Sequence, residues 1–597
     1  MRPIPSLLAI LTAGVLSLLG QPARALPPEK DAWLELKTPS FVLFSDAGEK
    51  NARQVAESLE RLRSVLGQLN PGLKLTAPNP TYVFVFRNND AFKPYRRIYN
   101  GRPVDVGGYF ITRPEANWVA VNGDPRTDEE AIINHEYLHY ILRNNYPSLP
   151  LWFNEGMSEV YSSFQATARE ARIGIPVPEH VYWLRQHSLI PPAQLFAIDQ
   201  TSPDYNEGDR RGVFYAESWA LVHLLLVGSP EHQQKAALYL QEMAREQPAP
   251  DAFHAAFGVD DATLEQEIRA YVRKHLFTVK TVPVQPNEAV QVTRRDLPRA
   301  EALARLGGLL VSLDPSLRPA AAEHFQAALA QDPSQPQALA GKGWLESLAG
   351  HPQEARPWLE KAAHKAPDDF VIQYLYGRTL LEENPGPADL REARRAFKQA
   401  VALQPDFGEA WARLAFAQAQ DDPQTGQIPP DAVRSFETAH RLLPTHTDIA
   451  YNLALAYARS GQRDRAQEII DHVLAVHGTP DEVQRARAAL IQEQRRDAED
   501  LIEKSDLEHA AALLEQLAAQ SPSPDQKAAL LARLDDVRHV LAYNRFVGRY
   551  NKAMELAGRD PKAAIAILED LVATTSEPGQ LEQAKKVLAS LKAERRR

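Results

Sequence analysis

The chain has 597 residues, 44% of them hydrophobic and 24% charged, and a formal net charge of -10. That length exceeds a single core and points to about three or four domains, while the acidic balance argues against nucleic acid as a partner. Cysteine is absent, which excludes disulfides and thiolate metal sites and leaves His, Asp and Glu as the available metal ligands. At the N-terminus Arg2 precedes an apolar run from Leu7 to Leu19, closed by Ala23-Arg24-Ala25. This is the order of a secretory signal peptide over 1–25, with an uncleaved N-terminal anchor as the other reading. The run is short for a membrane span. The expectation is a bacterial protein exported to the periplasm or secreted, with no stable membrane span after cleavage.

Short β-branched and aromatic runs follow. "FVLFS" (Phe41 to Ser45), "TYVFVF" (Thr81 to Phe86), "GGYFIT" (Gly107 to Thr112) and "NWVAVN" (Asn117 to Asn122) read as strands bounded by Gly, Pro and Asn. Glu115 and Ala116 lie in a predicted hairpin between the last two, and Asn117 to Asn122 reads either as an ordinary strand or as an edge strand that pairs with an extended peptide. Between the first two strands, Val55, Leu59, Leu62 and Leu66 give Ala47 to Leu69 the period of an amphipathic helix.

A second helix is predicted to open at Thr127-Asp128-Glu129-Glu130, the pattern of a capping box. It carries "HEYLH". His135 and His139 are four apart and leave one helix face, the separation two imidazoles need to share one ion. Glu136 lies about 100° around the helix, within reach of a metal-bound water without being a ligand. Pro147 and Pro150 end this helix, and a third begins near Trp152 with "NEGMSEVYSSF". A hydrolytic zinc site uses three protein ligands and one open position. Glu155 supplies the third ligand in this reading, and Glu159, one turn on, accepts from the outer nitrogen of a ligating histidine. The other reading makes both glutamates the polar face of a surface helix.

Residues 166–281 read as mostly helical, including "FYAESWALVHLLL" (Phe214 to Leu226) and "ATLEQEIRAYVRKHL" (Ala262 to Leu276). His223, in the more apolar of the two, reads as a core histidine. Residues 282–298 hold few apolar clusters and read as a linker. From 299 a repeat takes over. Prolines close its segments at Pro333, Pro367, Pro405 and Pro444. Before each stand a small, a large and a small residue: Ala321, Phe325, Ala328; Ala355, Leu359, Ala362; Ala393, Phe397, Ala400; Ala432, Phe436, Ala439. Gly343, Gly377, Trp411 and Leu453 take matching places in the preceding helices. This pattern resembles the tetratricopeptide repeat over 299–478, with helix pairs continuing over 479–597. A partner protein in the groove of the repeats is expected; a rigid spacer is the other reading.

"HEYLH" followed by "PLWFNEGMSEVY" resembles the gluzincin metallopeptidases, and more narrowly the bacterial peptidase MA-like group, in which a gluzincin domain often precedes tetratricopeptide repeats. The resemblance covers about residues 33–275. It implies a zincin-like α+β metallopeptidase domain, a small mixed sheet plus the HExxH helix over 26–165 with a helical part over 166–281, followed by an all-α repeat solenoid. It also implies Zn2+ on His135, His139 and Glu155, Glu136 as general base, and Glu159 as the carboxylate behind a ligand. Tyr215 matches a family tyrosine and is the candidate oxyanion donor, with a packed tyrosine at a helix start as the alternative. Only fifteen residues separate His139 from Glu155, fewer than in thermolysin, and the Gly-x-Met-Glu-Asn segment of the zinc aminopeptidases is missing. The short spacing implies a tight connecting turn and different cleft walls, and the missing segment argues against that exopeptidase type and leaves an endopeptidase acting on a peptide or protein substrate. A non-catalytic gluzincin-fold scaffold in the cell envelope is the main alternative, and hydrolysis of a non-peptide amide such as a cell-wall cross-link is a third.

Overall fold

The computed structural model describes residues 26–595 except 76–78, 100, 105, 125–128, 147–148, 168, 200, 207, 244–248, 275, 285–289, 383 and 421–427. The expected signal segment 1–25 and the expected capping box at Thr127 therefore lie outside the described residues. The chain divides into two compact units, Met1–Asn384 with Gln399–Phe407, and Pro385–Lys398 with Gly408–Arg597.

The first unit is organised by a six-stranded mixed sheet. Its strands are β1 (Trp33–Lys37), β2 (Val42–Ser45), β3 (Thr81–Phe86), β4 (Gly108–Thr112), β5 (Asn117–Asn122) and β6 (Thr293–Leu297), in the order β6-β1-β2-β3-β5-β4. β2, β3 and β5 run parallel, and the flanking pairs are antiparallel. Alternation along the strands sorts the side chains between two faces. Leu43, Val83, Val85, Val119 and Val121 join Val55, Leu59 and Leu62 of α1 (Glu49–Leu69) and Ile133 and Leu138 of α2 (Glu129–Asn145) in one core. On the other face Phe44, Tyr82, Phe84, Phe86 and Trp118 form an aromatic ladder, with Phe84 and Trp118 stacked at 6.2 Å.

After α2 the chain forms α3 (Leu151–Ser162), α4 (Pro178–Gln186), α5 (Pro203–Asn206) and α6 (Gly208–Val227). α6 is a core helix: Phe214, Trp219, Leu221 and Val222 are fully buried. His223 is also fully buried, with Nδ1 on the Tyr271 hydroxyl at 2.5 Å and Nε2 on the Gly174 carbonyl at 2.7 Å. It is a satisfied core histidine. Among the described residues no single helix is long and apolar enough to cross a membrane.

Two sequence expectations differ from the structure. Asn117 to Asn122 is not an edge strand: β5 lies between β3 and β4, and β4 ends the sheet. The stretch 282–298 holds structured strand. Lys280–Pro283 pairs with Glu170–Ile173, and β6 pairs along all of β1. β6 reads "TRRDL" and is exposed except at Leu297, so it lacks the apolar alternation that marks a half-buried strand. Its pairing is reinforced by side chains instead, with Arg295 bridging Glu35 and Glu301 at 2.6 and 2.8 Å.

β6 leads directly into the repeat helices α7 (Arg299–Leu313), α8 (Arg318–Gln331), α9 (Pro336–Leu348), α10 (Pro352–Lys365) and α11 (Phe370–Leu380). α7 covers the aromatic face of the sheet. Its Arg305 guanidinium lies 5.2 Å from the Phe44 ring centroid and 5.9 Å from that of Tyr82, a cation–π geometry. Arg113, in the β4–β5 hairpin, donates to the carbonyls of Ser312 and Leu313 and so caps the C-terminus of α7. The Tyr95 hydroxyl meets Nε2 of the fully buried His324 on α8 at 2.9 Å. The large and small residues of the repeat pattern pack as their spacing predicts. All twelve of the residues from Ala321 to Ala439 named above are buried. Phe325 illustrates why: a Cβ on Gly307 of α7 or on Gly341 of α9 would come within 2.6 or 2.2 Å of its ring.

The second unit continues as helices at Gly408–Ala419, Pro430–Leu442 and Thr447–Arg459, interrupted by a five-residue π-helix at Ile470–Leu474. Longer helices follow, including Pro480–Glu503, which opens with a complete capping box of Thr479 and Glu482, and Pro524–Ala557.

Phe325→Ala is expected to destabilise the first unit by about 3–5 kcal/mol, read as an earlier transition in urea. Glu217 gives a pH prediction. It is fully buried on α6, where Oε2 accepts from the Ile190 amide at 2.7 Å and Oε1 has no hydrogen-bond partner among the described residues. Burial pushes its carboxyl from the ordinary 4.5 up to about 8. A carboxyl with a raised folded-state pKa favours folding only while protonated, so stability falls as pH rises from about 4.5 through about 8. Glu217→Gln keeps the acceptor for Ile190 and should flatten that fall, with a melting temperature above wild type at pH 9.

Candidate metal centre

α2 and α3 form an antiparallel pair, and the return between them determines where Glu155 sits. Pro150 adopts an extended conformation at the N-cap, and its carbonyl accepts from the amides of Phe153 and Asn154. Trp152 and Phe153 are buried in the core and hold the first turn of α3 in place. Gly156 lets α3 approach α6 closely, since a Cβ there would lie 2.3 Å from the Ser218 carbonyl oxygen.

The consequence is a convergence of three ligand atoms. Nε2 of His135 and Nε2 of His139 are 2.9 Å apart. Glu155 Oε2 lies 3.5 Å from the first and 3.2 Å from the second. One nitrogen or oxygen from each of His135, His139 and Glu155 falls within 4.8 Å of the others. Glu155 is 3% exposed, and its Oε2 is a buried acceptor with no hydrogen bond of acceptable geometry, despite those short ion-pair distances. Three lone-pair-bearing atoms thus face one point. Such an arrangement is balanced by a proton or by a cation, and two imidazoles with one carboxylate are a donor set that suits zinc.

Each of the three is held from behind. His135 Nδ1 approaches Glu159 Oε1 at 3.3 Å. His139 Nδ1 meets the Asn154 Oδ1 and, at 3.0 Å, the Ser158 hydroxyl. The Tyr205 hydroxyl of α5 donates to Glu155 Oε1 at 3.2 Å, on the side away from the imidazoles. Glu159 Oε2 in turn meets Nε2 of His180, in the first turn of α4, at 2.9 Å. Fixing the outer nitrogen of a ligating imidazole sets its tautomer and orientation. Electrostatics follow from this packing. Burial alone would raise the Glu155 carboxyl, but the imidazoles of His135 and His139 beside it hold it at about 2. Burial would lower His135, yet the carboxylates of Glu155, Glu159 and Glu136 raise it to about 9.

The structure therefore brings together four of the six residues singled out in the sequence and places the other two, Glu136 and Tyr215, beside them. His135, His139, Glu155 and Glu159 are in direct contact. Glu136 is half-buried on α2, and its charge acts on His135. The Tyr215 ring lies 6.4 Å from that of His135 and stacks on Tyr205 at 6.0 Å. Sequence reasoning missed Tyr205 and His180, which stand 50 and 21 residues from their carboxylate partners on other helices. It also missed Asn154 and Ser158, which were legible: they stand four apart on α3, the spacing that puts two side chains on one helix face.

Comparisons with known proteins concern the repeats. A family profile described as "Tetratricopeptide repeat" matches residues 429–490. The chain is 32% identical over 121 residues to a "Peroxisomal targeting signal receptor" of Yarrowia lipolytica, covering 20% of this chain and 18% of that protein. It is 30% identical over 308 residues to the "Cellulose synthase operon protein C" of Xanthomonas axonopodis pv. citri, covering 46% of this chain and 19% of that protein. The chain thus spans less than a fifth of the length of either relative. Among solved structures, YrrB, titled a TPR protein with an unusual peptide-binding site, aligns with 32% of this chain and 91% of its own at 22% identity and a TM-score of 0.27. Pseudomonas aeruginosa pilF aligns with 39% of this chain and 97% of its own at 21% identity and a TM-score of 0.28. The chain carries tetratricopeptide repeats.

Zinc added to chelator-treated protein is expected to raise the melting temperature of the first unit, because a ligand that binds only the folded state stabilises it by mass action. Glu155→Ala should abolish that rise while leaving the repeats helical by circular dichroism.

Proposed function

We propose that this chain is a zinc-dependent metallopeptidase, an endopeptidase by preference, carried on a tetratricopeptide-repeat scaffold that binds its substrate or a partner protein. The observation that carries this reading is the convergence of His135 Nε2, His139 Nε2 and Glu155 Oε2, each backed by a further polar group. The donor set fits zinc, which when bound would supply Lewis acidity toward water and the scissile carbonyl. Glu136 follows His135 on α2 and takes the role of general base, accepting the proton of the attacking water and delivering it to the leaving amine. The stacked pair Tyr205 and Tyr215 borders His135, and Tyr215 is assigned the donor to the developing oxyanion. β4, at the end of the sheet and packed beside α2 through Gly108 and Ile132, offers an edge on which an extended peptide can pair. The signal-like segment 1–25 supports export to the periplasm or beyond, the proposed place of action.

A second reading keeps the repeats and drops the chemistry: a non-catalytic scaffold of the cell envelope. The comparisons favour it, since the family profile and the solved structures match the chain through tetratricopeptide repeats. The two readings part at Glu136. Glu136→Gln should retain zinc, measured by metal analysis of the purified protein, and lose about 100- to 10,000-fold of hydrolysis in a peptide-library digest. Zinc-loaded wild type that cleaves no member of the library would decide for the scaffold.

A further inference from the structure

We infer that His180 is a positioning residue for the metal ligand His135, acting through Glu159; this rests on the metal-binding reading above. The contacts of the Glu159 carboxylate carry the argument. Glu159 has two carboxylate oxygens, and each meets one imidazole: Oε1 faces His135 Nδ1 at 3.3 Å and Oε2 faces His180 Nε2 at 2.9 Å. The carboxylate is largely buried, its side chain 15% exposed, and His180 is similarly enclosed at 13%. An ionised carboxylate accepts only, so His180 donates to it through Nε2, and Nδ1 is the nitrogen that His135 turns toward it. With a metal ion bound, His135 would keep its proton on Nδ1, toward Glu159, and turn the lone pair of Nε2 to the ion.

One donor alone would leave Glu159 free to turn about its last torsion, a broad and roughly two-fold well. With Oε2 tied to His180, the plane of the carboxylate is determined from both ends, and the His135 ring with it. His180 reaches this position from a helix outside the α2–α3 pair. α4 begins at Pro178, which suits the first turn of a helix and places His180 at its third residue. The His180 ring also lies 5.9 Å from that of Trp219 on α6, so it could matter by packing alone. The two roles require different substitutions to preserve them.

His180→Phe keeps a ring against Trp219 and removes the donor. His180→Gln keeps a donor and removes the ring. Zinc affinity measured by competition with a chromophoric chelator, and the melting temperature of the metal-free protein, distinguish the cases. The expected result is a zinc Kd about 10- to 100-fold weaker in His180→Phe, most of the wild-type affinity in His180→Gln, and metal-free melting temperatures close to wild type. Wild-type affinity in His180→Phe overturns the assignment, as does a loss confined to His180→Gln. Wild-type protein that binds no zinc overturns the metal reading itself, and His180 loses its role with it.

Discussion

A carboxylate oxygen held out of water between two imidazoles is the constraint around which the first unit is arranged. Glu155 Oε2 lies within 3.5 Å of both His135 Nε2 and His139 Nε2 and has no hydrogen bond of its own. An isolated buried charge is costly, and the surrounding structure answers that cost at several removes. α3 is pressed against α6 at Gly156, Trp152 and Phe153 lock the turn, and Tyr205 fixes the outer oxygen. Polar groups on three further side chains then orient the imidazoles. This much structure spent on directing lone pairs to one point favours a site that holds a cation over a polar face that happens to be buried.

The sheet serves that site on one face and the repeats on the other. Its valine face packs α1 and α2, so the helix bearing His135 and His139 is seated on the core rather than on a loop. Its aromatic face is closed by α7, the first repeat helix, through Arg305, Arg113 and the Tyr95–His324 bond. β6 completes the connection by adding a strand to the sheet immediately before α7. The first repeat helices, α7 to α11, are therefore continuous with the sheet domain in one compact unit.

Much of this was legible in the sequence. Strands β2, β3 and β5 announced themselves through β-branched and aromatic runs, because both their faces are covered by apolar neighbours. The repeat helices were legible because close helix pairs require small residues at fixed positions, as Ala321, Ala328, Gly341 and Gly343 supply. The i, i+4 spacing of His135 and His139 places both rings on one helix face, and a proline-bounded return made Glu155 a natural third member. Local chain geometry determines all of these, so a one-dimensional pattern suffices to find them.

Tertiary structure decided the rest. β6 is charged and exposed, and only its ladder to β1 makes it a strand. The sequence of Asn117 to Asn122 suits an edge or an interior strand equally, yet strand order is a matter of which segments meet, and β4 closes the sheet. His180 and Tyr205 carry no local signature, because their partners lie on other helices and the chain between them has no fixed length. Whether Glu155 faced solvent or two imidazoles was likewise outside the reach of sequence: an amphipathic pattern defines a face, while the packing of α3 on α2 and α6 determines what that face meets.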